Sequence, residues 1–507
     1  MTQNPRALTV DGVLHRSAAR TPNRTALTFE DRAWTYAELD EAVSRGAVWL
    51  QQQGLARGDR VAALGTNSDA YLIAFLACAR AGLVHVPLNY ALRGGELAYL
   101  LQTSGAQVVL VDPALAEVAA GVCAGLGIDR LLSLRGDGAS LLETVQDPDA
   151  SDAVEAEVEA TDLAQLLFTS GTTSQPKGAM MSHRALVTEY LSCLLALDFT
   201  ADDRPLICMP LYHSAAMHVF MLPYLSIGAT ITLLGSPDVT EVLRRIEAEK
   251  IGSLFLAPTV WVPLANHPDL ATRDLSSLAK AQYGASIMPV TVLSRLRERY
   301  PDILFYNCFG QSEVAPLATV LRPEDHAERP ASCGRPVFFV ETKVVDADGN
   351  EVPDGESGEI LYRSPQLCDG YWGDDAATAA AFQDGWFHSG DLVTRDAEGY
   401  ITVVDRIKDV INTGGVLVAS REVEDAIYTH PAVAEVAVIG TPDERWIEAV
   451  TAFVVLREGA SADEAEMIAH VHDRLAAFKV PKRVEFVDAL PRNQSGKLLK
   501  RELRTRA

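Results

Sequence analysis

Phe168-Thr169-Ser170-Gly171-Thr172-Thr173-Ser174-Gln175-Pro176-Lys177-Gly178 decides how the rest of the chain is read. The apolar run 163–168 leading into it predicts a short buried strand. Ser182 beyond it is a candidate N-cap, followed by Leu186, Val187, Tyr190, Leu191 and Leu194 at helical spacing. Between strand and helix lie two glycines, five Ser/Thr hydroxyls and one lysine. Backbone N–H groups, hydroxyl donors and a mobile cation together suit a polyphosphate. Pro176 stands before the lysine where a Walker A loop has glycine, which excludes that motif. Taken alone, the loop reads equally well as a polar surface turn with a solvated lysine.

On the N-terminal side of this loop, strand and helix patterns alternate. Thr35 and Glu38 form a capping box for a helix running to about Gln53 and closed by Gly54. Strand-like runs at 61–64 and 83–87 flank a helical stretch at 69–80, and 108–111 is another strand-like run. Residues 137–162 hold nine acidic residues and no basic one, which predicts a solvated connection. On the C-terminal side the alternation resumes, with strands at 206–209, 229–234, 253–257 and 303–307 and a clear helix at 238–250. Such alternation predicts mainly parallel sheets covered by helices. After Ser332 the pattern changes to strands joined by tight turns, Asp346-Ala347-Asp348-Gly349 and Asp396-Ala397-Glu398-Gly399. The last hundred residues mix helices (421–429 and 462–478, the latter with a Ser461/Glu464 box) with strands (434–439 and 450–456).

The expected fold is α/β. A large N-terminal domain, 1–406, holds two helix-covered sheets and a small antiparallel β subdomain at about 333–404. A small, mobile α+β domain spans 407–507. At 507 residues the chain needs more than one core. The net charge of −24 argues against nucleic acid or an anionic membrane as partner. Seven dispersed cysteines without a CxxC pair argue against a disulfide framework or a zinc site and fit the cytoplasm. The most apolar windows, 70–79 and 219–234, are interrupted before reaching a membrane span.

Seven motifs, in one order, resemble those of the adenylate-forming superfamily: acyl-CoA synthetases, peptide-synthetase adenylation domains and luciferases. The opening stretch resembles its phosphate-binding signature, assigning Thr169, Ser170, Gly171, Thr172, Thr173 and Lys177 to ATP. Pro210-Leu211-Tyr212-His213-Ser214 resembles the segment whose histidine lines the acyl pocket. Gln282-Tyr283-Gly284-Ala285-Ser286 resembles the turn between adenine and acyl group, with Tyr283 where the family often has glycine. Tyr306-Asn307-Cys308-Phe309-Gly310-Gln311-Ser312-Glu313 resembles the adenine-binding segment; the resemblance gives Ser312 the α-phosphate and Glu313 a Mg²⁺ ion. Trp386-Phe387-His388-Ser389-Gly390-Asp391 resembles the ribose motif, with Asp391 on the hydroxyls. In the stretch Asp405 to Gly415, the resemblance makes Arg406 a nucleotide contact, Lys408 the hinge, and Gly414 and Gly415 neighbours of the pantetheine thiol. Pro491-Arg492-Asn493-Gln494-Ser495-Gly496-Lys497 resembles the motif of the catalytic lysine, Lys497. Trp446, Phe478 and Lys482 sit where some members contact coenzyme A, although Val480 and Ile447 replace a familial arginine and glycine.

The resemblance implies an AMP-forming acyl-CoA synthetase. ATP and a carboxylic acid give an acyl-adenylate and pyrophosphate; the thiol of coenzyme A then takes the acyl group and AMP leaves. Two alternatives stand beside it. One is a member performing a single half-reaction; the other is a nucleotide- or acyl-binding protein without chemistry. Small residues Ala215, Ala216, Gly284 and Ala285 suggest room for a bulky or long apolar acid. The acid's identity, and whether the protein is a monomer or a homodimer, stay open at this level.

Overall fold

The computed structural model describes residues 8–136, 138–169, 175–286, 288–414, 416–443, 445–492 and 498–506. They form two compact units. Of the described residues, the larger holds those up to 341 except Gln175, together with 362–387; the smaller holds Gln175, 342–361 and those from 388 onward.

The larger unit is built on two sheets. One has nine strands, in the order Arg335–Pro336, Leu317–Leu321, Leu304–Gly310, Lys280–Gly284, Ser253–Leu256, Pro205–Ile207, Ile231–Leu233, Thr25–Phe29, Arg32–Thr35. Its six central strands are parallel, and antiparallel strands finish both ends. The other has six strands, ordered Leu131–Ser133, Val108–Val111, Arg60–Leu64, Val84–Leu88, Leu163–Thr169, Lys177–Ser182, all parallel except the last. The alternating pattern of the sequence is therefore borne out as helix-covered, mainly parallel sheets. Strands such as 108–111 are buried along their whole length, as expected for parallel strands covered on both faces.

Local capping follows the side chains. The Thr35/Glu38 box is formed at the start of Tyr36–Gln52. Asp238 accepts the Glu241 N–H at the head of Val239–Glu249. Two expectations change. The acidic stretch contains a short helix, Leu141–Gln146, boxed by Ser140 and Glu143, because Leu141, Leu142 and Val145 bury together. The helix expected at 462–478 is Glu464–His472, and its cap is Asp463 rather than Ser461: the Asp463 carboxylate accepts the Glu466 N–H.

In the smaller unit, residues 391–395 pair antiparallel with Ile401–Arg406. The turns at 346–349 and 396–399 close with Gly349 and Gly399 N–H groups on the Asp346 and Asp396 carbonyls. A second sheet orders Val416–Val418, Ile411–Thr413, Ile447–Leu456, Val433–Asp443, with Arg483–Phe486 parallel to Ile447–Leu456. Helices Ser420–Tyr428 and Glu464–His472 cover it over a core of Val423, Ile427, Val436, Val450 and Met467.

Candidate active site

The glycine-rich loop joins two antiparallel strands: Thr169 pairs with Lys177, and Lys177–Ser182 runs back along Leu163–Thr169 before Ser182 caps the helix His183–Ala196. Ser170, Gly171, Thr172 and Thr173 lie outside the described residues. Lys177, the first residue of the returning strand, places its ammonium 5.0 Å from the centroid of the Tyr371 ring. The Tyr371 hydroxyl donates to Glu313 Oε1 at 3.1 Å. Burial and the neighbouring carboxylate raise the Tyr371 phenol far above its ordinary range, which keeps it a donor. Glu313 is 8% exposed. Cation, phenol and carboxylate thus meet where the returning strand begins.

The segment 210–214 reaches the same place from another direction. Ser214 Oγ lies 3.1 Å from Ser312 Oγ, next to Glu313. His213 packs its ring 4.5 Å from Tyr212, and its Nε2 is buried with no hydrogen-bond partner among the described residues. Burial pulls the imidazole down to about 4, so it is neutral at pH 7. Directly after it, Ala215–Met221 is a π-helical segment, with the Leu222 N–H on the Met217 carbonyl five residues back. Such turns are rare and concentrate at functional sites.

The nucleotide segments are adjacent parallel strands, with Gly284 opposite Cys308 and Tyr283 opposite Asn307. Gly284 is needed by the sheet itself: a Cβ there would stand 2.1 Å from the Cys308 carbonyl oxygen. Ala285 has φ +64° and begins the turn that Ser286 continues on the surface. Tyr283 packs in the core with its hydroxyl 3.0 Å from His326 Nε2. Asn307 donates to the Ser332 carbonyl at 3.0 Å, and Cys308 is buried. Phe309, Gly310 and Gln311 are half-buried and lead into the Ser312–Val314 turn; at Gly310 a Cβ would collide with the Pro316 carbonyl.

In the smaller unit the turn at 388–391 is held from behind. Asp391, 3% exposed, accepts from Arg406 Nε at 2.7 Å across the strand pair. Arg406 also donates to the Ser389 carbonyl at 3.1 Å. Glu359 holds the turn: Oε1 accepts the Gly390 N–H at 2.8 Å, and Oε2 lies 2.9 Å from His388 Nδ1. Lys408 sits in the short turn Ile407–Asp409. Gly414, at φ +65°, donates its N–H to the Trp446 carbonyl, and a Cβ there would stand 3.4 Å from the indole. Arg445 and Lys482 stand 4.8 and 5.2 Å from that ring. Burial and the Arg445 charge lower the Lys482 ammonium. Phe478 is 38% exposed, with Lys479 beside its ring. Gly414, Trp446 and Lys482 are thus brought together, whereas Gly415 and Lys497 lie outside the described residues.

Residues 14–372 match the family model of the AMP-binding enzymes, and residues 422–497 match that of the AMP-binding enzyme C-terminal domain. The chain belongs to the AMP-binding enzyme family. It is 41% identical to a feruloyl-CoA synthase of an Amycolatopsis species, over 97% of both chains. It is 34% identical to an indoleacetate–CoA ligase of Aromatoleum aromaticum, over 97% of this chain and 96% of that one. Among solved structures it resembles ATP-bound MatB from Rhodopseudomonas palustris, with a TM-score of 0.91, 32% identity and 99% coverage of both. The protein is an AMP-forming acyl-CoA synthetase, an acid–thiol ligase working with ATP, as its motifs imply. Among the described residues no helix is long and apolar enough to cross a membrane.

Two residues of this AMP-binding enzyme were not singled out in the sequence. Tyr371 lies 58 positions from its partner Glu313. It arrives there because the 369–372 turn hydrogen-bonds along the returning strand, Met180 to Gly370 and Trp372 to Gly178. The adjacent aromatics Tyr371-Trp372 after Gly370 were the available signal. Glu359 precedes the turn it holds by 31 positions, and nothing in its own strand distinguishes it from a surface glutamate.

Proposed function

We propose that the protein activates an aromatic carboxylic acid, with ferulate the first to try, and passes it to coenzyme A through both half-reactions. The observation that carries this reading is the meeting of Lys177, Tyr371 and Glu313 beside the Ser214–Ser312 contact. It joins a phosphate loop, a hard carboxylate oxygen and the acyl segment. The relative activating ferulate, by its name, supports the aromatic class.

Both reactants of the first step are anions, and a carboxylate near pH 7 needs no base. The site has to neutralise and align. Lys177 and the loop hydroxyls hold the phosphates, Asp391 with Arg406 the ribose, and Ser312 the α-phosphate. Glu313 fits Mg²⁺: it is a buried oxygen donor, and Mg²⁺ takes most of its ligands from phosphates and water. When bound, Mg²⁺ supplies charge neutralisation on the phosphates. Lys497 bridges acid and phosphate during adenylation. Rotation about Lys408 then replaces it with the Gly414–Trp446–Lys482 surface, where coenzyme A enters. Neutral His213 stands at the acyl end. The reading places the enzyme in the cytoplasm, with a homodimer as its assembly.

The experiment is acid-dependent exchange of labelled pyrophosphate into ATP across ferulate, indoleacetate and decanoate, followed by addition of coenzyme A. Fastest exchange with ferulate, and a thioester once coenzyme A is present, is the expected result. Exchange with decanoate alone would overturn the aromatic assignment. Exchange without thioester would leave only the first half-reaction.

A further inference from the structure

A chain of buried polar side chains runs behind the acyl segment, and the reaction as described gives it no part. It starts at His85 on Val84–Leu88. The Gln165 amide nitrogen donates to His85 Nδ1 at 3.0 Å, from the strand that leads into the phosphate loop. The Gln165 amide oxygen accepts from His218 Nε2 at 2.8 Å. The Tyr190 hydroxyl donates to His218 Nδ1 at 3.0 Å, from the helix His183–Ala196. None of the four is more than 1% exposed. The directions are mutually fixed. An amide oxygen only accepts, so His218 carries its proton on Nε2 and leaves Nδ1 for the tyrosine. The Tyr190 and His218 rings stack at 6.0 Å, nearly parallel.

His218 lies in the middle of the π-helical segment Ala215–Met221, whose first residue follows His213-Ser214. A π turn is the less stable backbone choice, and it persists where side chains over-determine it. Both imidazole nitrogens of His218 are tied to other elements, so the segment cannot relax to an α-helix without breaking two buried hydrogen bonds. We propose that Gln165, His218 and Tyr190 are positioning residues that hold the π-helical segment, and with it His213 and Ser214, in register with the phosphate loop for the acid. The inference rests on the reading of 210–214 as the acyl segment.

The same helix carries an internal control. Ser192 donates to Gln366 Oε1 at 3.0 Å, and the Gln366 amide nitrogen donates to the Val314 and Leu317 carbonyls at 2.9 and 2.7 Å. That arm braces the turn of Glu313. Cutting it should be felt by ATP and Mg²⁺ rather than by the acid.

The acid used is whichever of ferulate, indoleacetate and decanoate gives the fastest exchange with the unmodified protein, so the choice of acid is fixed before variants are compared. Tyr190→Phe keeps the ring and loses one buried hydrogen bond, worth about a 5–10-fold change. The expected result is a KM for the acid raised by about that factor, with the KM for ATP within twofold. His218→Leu should go further in the same direction, and His218→Gln, which keeps a donor and an acceptor, should recover part of the loss. Ser192→Ala should move the KM for ATP and leave that for the acid. The assignment is overturned if Tyr190→Phe shifts both KM values together. It is equally overturned if the variant lowers the melting temperature with neither KM changed. Tyr190→Phe decides even where His218→Leu does not fold.

Discussion

Around Glu313 the polar side chains are buried, and hydrogen bonds tie them to one another across sequence separations of 58 and 98 residues. Around Trp446 the chain does the opposite. Arg445 and Lys482 flank an aromatic ring, and Ile447 and Leu417 stand 60% and 69% exposed. Ile447 also holds φ +67°, a conformation that costs a β-branched residue about 1–2 kcal/mol. A site for acid and phosphate needs fixed donors before charge develops. On the function proposed above, the Trp446 surface serves only the second half-reaction and needs to be available in turn. The first is therefore built like a core, the second like an interface.

The sharpest way to break this division is Lys497→Ala. Pyrophosphate exchange should fall by about 10²–10³-fold, the value of one positioned charge donor, while supplied acyl-adenylate and coenzyme A still give thioester at near the normal rate. Equal loss of both half-reactions would erase the distinction. Glu313→Gln should follow, with exchange down by about 10²-fold and more Mg²⁺ needed for half-maximal rate. Tyr371→Phe removes one hydrogen bond to a charged group and should cost about 10-fold or somewhat more on the same assay. On the other surface, Trp446→Ala should raise the KM for coenzyme A by about 10-fold, the range of cation–π contacts, and leave exchange unchanged.

A change of pH probes the buried histidines of the larger unit. Burial pulls His85 and His218 down to about 3, and His183 and His213 to about 4, from an ordinary 6.5. A depressed value means that the unfolded chain takes up these protons first. The stability they contribute is complete above about pH 6.5 and is lost as the pH falls toward 4. Melting temperature should therefore decline steadily over that window in the wild type, and less steeply in His218→Gln. Smallest of all, Ile447→Gly should raise the melting temperature of the smaller unit by about 2–4 °C through relief of backbone strain. No rise would show that the isoleucine is well accommodated.

The sequence made the ligand-facing strings legible because each is contiguous. A glycine-rich loop, an aspartate after a glycine, or a glutamate closing a strand declares itself within a few residues. Helix-covered parallel sheets were legible for a related reason, since apolar runs of strand length alternate with amphipathic stretches. Tyr371, Glu359 and the Gln165–His218–Tyr190 chain were not, because their meaning is a partner, and partners are set by strand order and register rather than by spacing. Tyr283 shows the same limit from the other side. Its position in a motif says nothing of where its side chain goes, and alternation along a strand turns it into the core toward His326. The helix Leu141–Gln146 escaped because six residues are too few to establish a period.

The π-helical segment Ala215–Met221 is also a matter of counting. Hydrogen bonds spanning five residues instead of four make it, in effect, an α-helix carrying one inserted amino acid. Each residue of an α-helix turns the chain by about 100°. Deleting a single residue from this segment would restore ordinary helical bonding and swing His213 and Ser214 about a quarter-turn away from Ser312, with no side chain of the site altered. The acyl segment is thus tuned by chain length, and single-residue insertions and deletions, more than substitutions, are the changes by which a relative could re-aim it.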